Sequence, residues 1–93
     1  MNSQLGAVEE RPAKDPPVTV YTRTGCETCR AVKEFLALKG VDFVEKDIAV
    51  DPVAADELAT LTQGAATAPV TVAGPKVVVG FDPSALVREL GLN

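Results

Sequence analysis

Histidine and tryptophan are absent from this 93-residue chain, which has two cysteines, one tyrosine and three phenylalanines. Without histidine the chain has no imidazole for acid–base catalysis, no Cys–His nucleophile pair and no His-containing metal site of its own. Lys/Arg runs are missing too. At a net charge of −4 there is no basic patch to track phosphates, so nucleic acid is not an expected partner. The longest weakly polar stretch, Gly64 to Gly74, contains Pro69 and two threonines. It falls short of the roughly 20 apolar residues a membrane span needs. The start, Met1 to Glu10, lacks a basic opening and a long apolar centre and does not read as a signal peptide. A cytoplasmic location is expected, and in a reducing compartment a cysteine pair is catalytic or metal-binding rather than structural.

What is present suits one small domain. Apolar residues make up 46% and charged residues 24% of the chain, close to globular averages, which argues against disorder throughout. Residues 1–15 mix Gly, Pro and both signs of charge without periodicity, so a flexible tail is expected there, with the domain over 16–93.

From Val18 to Tyr21 a β-branched and aromatic run reads as a strand. Glu27 to Lys39 reads as a helix stopped by Gly40, with Phe35, Thr28, Val32 and Leu36 on its apolar arc. Cys29 falls at the edge of that arc and Cys26 on the polar side. A second strand is expected over Asp42 to Ile48, parallel to the first. Asp51–Pro52 marks a helix start and Gly64 its end. Val70–Ala73 and Lys76–Val79, separated by Gly74–Pro75, read as an antiparallel hairpin. A last helix, capped by Asp82 or Ser84, ends at Gly91. The order β-α-β-α-β-β-α, with helices on both faces of the sheet, is a layered α/β domain.

The chemistry centres on Cys26-Glu27-Thr28-Cys29, placed where the first strand gives way to the first helix. Two thiols at this spacing can close a ring by oxidation, and a helix N-terminus stabilises a thiolate. Cys26, first and more exposed, is the expected nucleophile, and Cys29 the resolving thiol. Arg23, Arg30 and Lys33 are expected to favour the Cys26 thiolate, with Glu27 opposing. A zinc site needs about four ligands, and one CxxC supplies only half of them. The alternative reading is therefore a dimer holding zinc or an iron–sulfur cluster through paired CxxC motifs.

The segment Tyr21-x-Arg23-x-Gly25-Cys26-x-x-Cys29, the Thr67-Ala68-Pro69 run and the Gly80-Phe81-Asp82-Pro83 turn together resemble the glutaredoxin branch of the thioredoxin fold, over Val18 to Leu92. The resemblance implies a four-stranded mixed sheet in the order 2-1-3-4, with Pro69 in cis beside the thiols. It implies a cytoplasmic, monomeric dithiol–disulfide oxidoreductase that reduces protein disulfides without a bound cofactor or a membrane partner. Either glutathione or a thioredoxin-reductase-type flavoenzyme would be its electron donor. Arg23, Thr67, Ala68, Pro69, Gly80, Phe81 and Asp82 would bind the substrate or glutathione, although core packing is the leading expectation for Phe81. The sequence has Arg23 where glutaredoxins usually carry Lys, Ala68 before the proline, and a single Gly80 followed by Phe81. That Gly-Phe-x-Pro turn is more similar to the redoxins that reduce ribonucleotide reductase and draw on thioredoxin reductase.

Overall fold

The structure, a computed structural model, describes residues 17–64 and 67–92. The expected tail over residues 1–15 lies outside them. The elements in chain order are β1 (Val18–Thr22), α1 (Glu27–Leu38), β2 (Val44–Asp47), α2 (Pro52–Leu61), β3 (Val70–Ala73), β4 (Lys76–Val79) and α3 (Pro83–Leu90). They form a four-stranded sheet in the order β2-β1-β3-β4, with β1 and β2 parallel and the other pairs antiparallel. The expected fold is the one observed.

Alternation along β1 builds both sides of the core, because successive strand residues point to opposite faces. Val18 and Val20 pack with Val32 and Leu36 of α1, Val41 and Ala73. Tyr21, turned the other way, packs with Ala54 and Leu58 of α2 and with Val70. Val78 joins Ala85 and Leu86 of α3, and Phe35 packs against this cluster as well as the first. Leu36, Leu58 and Leu86 are completely buried, and such burial stabilises by about 1.5–3 kcal/mol per side chain. On the α2 face the Tyr21 hydroxyl donates to Glu57 Oε1 at 3.1 Å, and Lys46 Nζ reaches the same oxygen at 2.9 Å.

The helix starts follow their capping residues. Asp51 Oδ1 accepts from the Val53 and Ala54 N–H groups, and Asp82, rather than Ser84, accepts from Ala85 N–H at 3.1 Å. Pro52 and Pro83 follow these caps, where a missing N–H costs nothing. Two expectations are corrected. The second strand is shorter than Asp42–Ile48: Asp42 and Phe43 lie in the connection from α1. Only Ile48 N–H, bonded to Thr22 C=O at 2.9 Å, extends the pairing past Asp47. Thr28 is exposed, and the fully buried stripe of α1 is Cys29, Val32 and Leu36.

Candidate active site

The site begins where β1 ends. Beyond Thr22 the chain makes a tight turn, closed by the Cys26 N–H donating to Arg23 C=O at 3.1 Å. Gly25 sits at the third position of that turn with φ +80, a conformation that strains any residue with a Cβ even though the space around it is open. Thr24 Oγ1 ties the turn to β2 by donating to Asp47 Oδ2 at 2.6 Å, while Asp47 Oδ1 accepts from Ala49 N–H. The Thr24 hydroxyl and Ala49 N–H hold the Asp47 carboxyl below its usual pKa.

Cys26 then serves as the N-cap of α1. Its Sγ accepts from Cys29 N–H at 3.1 Å and lies 3.5 Å from the Thr28 hydroxyl. A sulfur in this position replaces the oxygen acceptor that usually satisfies a helix N-terminus, and it accepts more strongly once ionised. Burial alone would raise the Cys26 pKa. The hydrogen bonds from the Cys29 thiol, the Thr28 hydroxyl and the backbone of both residues outweigh it and hold the thiol below the ordinary cysteine value. Cys29 behaves oppositely. Burial, its hydrogen bond to Cys26 and the negative charge there push it up to about 11, against the pull of the Arg23 backbone and Lys33.

The two thiols are unbonded to each other. They share a cavity of about 350 Å³ walled by the turn from Thr22, the first turns of α1 and the end of β2, where Glu45 and Asp47 reach it. Two of the cations nearby, Arg30 and Lys33, are engaged by carboxylates. Arg30 Nε lies 3.2 Å from Glu34 and its Nη1 4.0 Å from Glu27, and Lys33 Nζ lies 3.0 Å from Glu45 Oε2. Glu45 also accepts from the buried Thr22 hydroxyl at 2.8 Å. The leading influences that lower Cys26 are thus hydrogen bonds, not the cationic side chains named from the sequence. Lys33 does act on a thiol, but on Cys29.

Of the expected binding residues, Arg23 lines the thiol cavity and the other six do not. Thr67 is exposed, Ala68 half-buried and Pro69 buried, and the Ala68–Pro69 bond is cis. Tyr21 pairs with Val70, so Pro69 falls one step further, beside Thr22 at the end of β1 from which the thiol turn departs. Gly80 N–H donates to Pro69 C=O at 2.8 Å and joins the two segments. The Phe81 ring meets Phe35 edge-on at 6.0 Å yet keeps 39% of its surface exposed, while the Asp82 side chain is occupied in capping α3.

The sequence reading did not single out Thr22, Thr24, Glu45 or Asp47. Their signal lay in topology: ligands in parallel sheets gather at the carboxyl ends of the strands. Thr22 and Asp47 end β1 and β2, Thr24 lies in the turn after β1, and Glu45 lies two residues before the end of β2.

Comparison with known proteins agrees with this geometry. The glutaredoxin family model matches residues 18–78. The chain belongs to the glutaredoxin family. Among its relatives, the glutaredoxin-like protein NrdH of Salmonella typhimurium is 35% identical over 71 residues, covering 76% of this chain and 85% of the relative. The gene 56 protein of Mycobacterium phage L5 is 39% identical over 71 residues, 75% of this chain and 68% of its own. The structure of the glutaredoxin-like NrdH-redoxin from Escherichia coli, described there as having a thioredoxin-like activity profile, superposes with a TM-score of 0.69 at 35% identity. That match covers 77% of this chain and 92% of the other. Glutaredoxins of this kind are thiol–disulfide oxidoreductases that need no bound cofactor and act on disulfide substrates with a reductase. This glutaredoxin-family chain is a thiol–disulfide oxidoreductase with the CxxC pair Cys26 and Cys29. Among the described residues no helix is long and apolar enough to cross a membrane, and no group of three or more Cys, Asp or Glu is arranged to hold a metal ion.

Proposed function

We propose that the protein is a cytoplasmic, monomeric redoxin that reduces protein disulfides with Cys26 as nucleophile and Cys29 as resolving thiol. The observation that carries this assignment is the opposite placement of the two sulfurs, one accepting hydrogen bonds at a helix N-terminus and one buried a turn further on. The Cys26 thiolate attacks one sulfur of the substrate; the substrate S–S bond breaks, a mixed disulfide forms and the first substrate thiolate leaves. Cys29 then loses its proton and attacks the Cys26 sulfur. The second substrate thiolate departs, and the substrate has gained the two electrons that the Cys26 and Cys29 thiols lost in forming their disulfide. An external reductant restores the dithiol.

For that reductant we favour a thioredoxin-reductase-type flavoenzyme over glutathione. The 35% identity to NrdH and the activity profile described for the Escherichia coli NrdH-redoxin support this choice, as does the Gly80–Phe81 turn. Arg23 and the Thr67–Pro69 and Gly80–Phe81 segments form the substrate groove, with Asp82 holding the start of α3 behind it. The backbone of Ala68 would take an extended substrate segment by strand addition. Coupled assays decide the donor. NADPH with thioredoxin reductase is expected to sustain disulfide reduction, and glutathione with its reductase to give little; efficient turnover from glutathione alone overturns the preference.

A further inference from the structure

The resolving step has an unmet requirement. Cys29 must become a thiolate inside the fold, where only 2% of its surface is exposed and burial resists the charge. The chain has no histidine to take the proton. The charged groups on the wall of the thiol cavity are Arg23 from the turn, Glu27, Arg30 and Lys33 from α1, and Glu45 and Asp47 from β2.

Among these, Lys33 stands out by placement. It follows Cys29 by four residues, which on a helix sets it one turn along the same face. Its Nζ is held 3.0 Å from Glu45 Oε2, and that oxygen is anchored from below by the Thr22 hydroxyl at 2.8 Å. The Lys33 side chain is 35% exposed against 68% for Arg30, so its field is less screened by solvent. Glu45 itself is a poor proton acceptor, because Lys33 and Thr22 hold its carboxyl below the usual range.

We infer that Lys33, fixed on the cavity wall by Glu45 and Thr22, is a positioning residue for the resolving step that stabilises the Cys29 thiolate electrostatically as it forms. The inference rests on the dithiol mechanism proposed above. Once Cys26 is tied up in a mixed disulfide it carries no charge, so its opposition to the Cys29 thiolate disappears. The pull of Lys33 and of the Arg23 backbone then acts against burial alone. The Cys29 proton passes to solvent, the new thiolate attacks the Cys26 sulfur, and the substrate thiolate leaves.

The reduced full-length protein can be mixed with the aromatic disulfide dithiobis(nitrobenzoate). The first coloured thiolate reports attack by Cys26, and the second, released in a unimolecular phase, reports resolution by Cys29. Wild type lacking the second phase contradicts the dithiol mechanism itself, before Lys33 is changed. With both phases present, Lys33→Met is expected to leave the first intact and slow the second about three- to tenfold near neutral pH, equivalent to about half to one pKa unit on Cys29. The rate of its second phase should rise with pH later than in wild type and converge with it under alkaline conditions, and Lys33→Arg should restore the wild-type profile. An unchanged second phase, an equal loss in both phases, or a loss that is the same at every pH overturns the inference.

Discussion

The two ends of β1 enclose similar volumes and put them to different use. At the Thr22 end the thiol cavity is about 350 Å³; at the Val18 end a second cavity, about 380 Å³, is lined by Val18, Val41, Ala73, Pro75 and the stretch from Arg88 to Leu92. At the first end α1 and α3 begin, and the positive ends of their dipoles favour negative charge; at the second both helices finish, and the negative ends oppose it. Charges at the far end satisfy one another: Glu89 lies 3.5 Å from Lys76 and 3.2 Å from Arg88. The difference shows that volume does not make a site. What distinguishes the thiol end is that a helix N-terminus meets the carboxyl ends of the parallel strands there.

The sharpest way to break this comparison is to remove the sulfur that defines it. Cys26→Ser should reduce disulfide turnover to the uncatalysed background, and Cys29→Ser should accumulate mixed disulfides visible by mass spectrometry. Glu89→Gln at the far end should leave turnover unchanged. Activity surviving in the Cys26 variant would erase the distinction between the two ends.

A second test addresses what the ends share. Leu36 is fully buried in the core beside β1, and Leu36→Ala should destabilise the fold by about 2–5 kcal/mol in urea unfolding. The folded fraction should keep a Cys26 more reactive than Cys29, since the N-terminal hydrogen bonds do not pass through Leu36.

The smallest expected effect lies within the site. Thr28→Val removes one of several donors facing Cys26 Sγ and should raise the Cys26 pKa slightly, measured from the pH dependence of alkylation. No change would mean that the Cys29 thiol and the backbone donors set Cys26 without the Thr28 hydroxyl.

Most of the fold was legible because its punctuation is local. Asp51–Pro52 and Asp82–Pro83 combine an acceptor for free N–H groups with a residue that needs no acceptor, and the β-branched runs at Val18 and Val70 flank clear turns. Thr28 was misplaced because helical periodicity assumes a face covered along its whole length. The first turn of α1 stands out at the cavity rim, so the covered face starts with Cys29. The roles of the charges were hidden for a related reason. Arg30–Glu34 and Cys29–Lys33 are i,i+4 relations readable from spacing, but Lys33–Glu45 and Thr22–Glu45 join residues 12 and 23 apart, and only the folded arrangement pins Lys33 on the cavity wall.

The central claim is that the first cysteine is a stabilised thiolate and the second a suppressed one. It is tested most directly by alkylating the reduced protein with iodoacetamide across a pH series and locating the label by mass spectrometry. Because the folded state lowers the Cys26 pKa, labelling there should rise at a pH below that of an ordinary cysteine and level off above it. Cys29 should stay unlabelled until the pH approaches about 11. Equal midpoints for the two sulfurs, or earlier labelling of Cys29, would contradict the account.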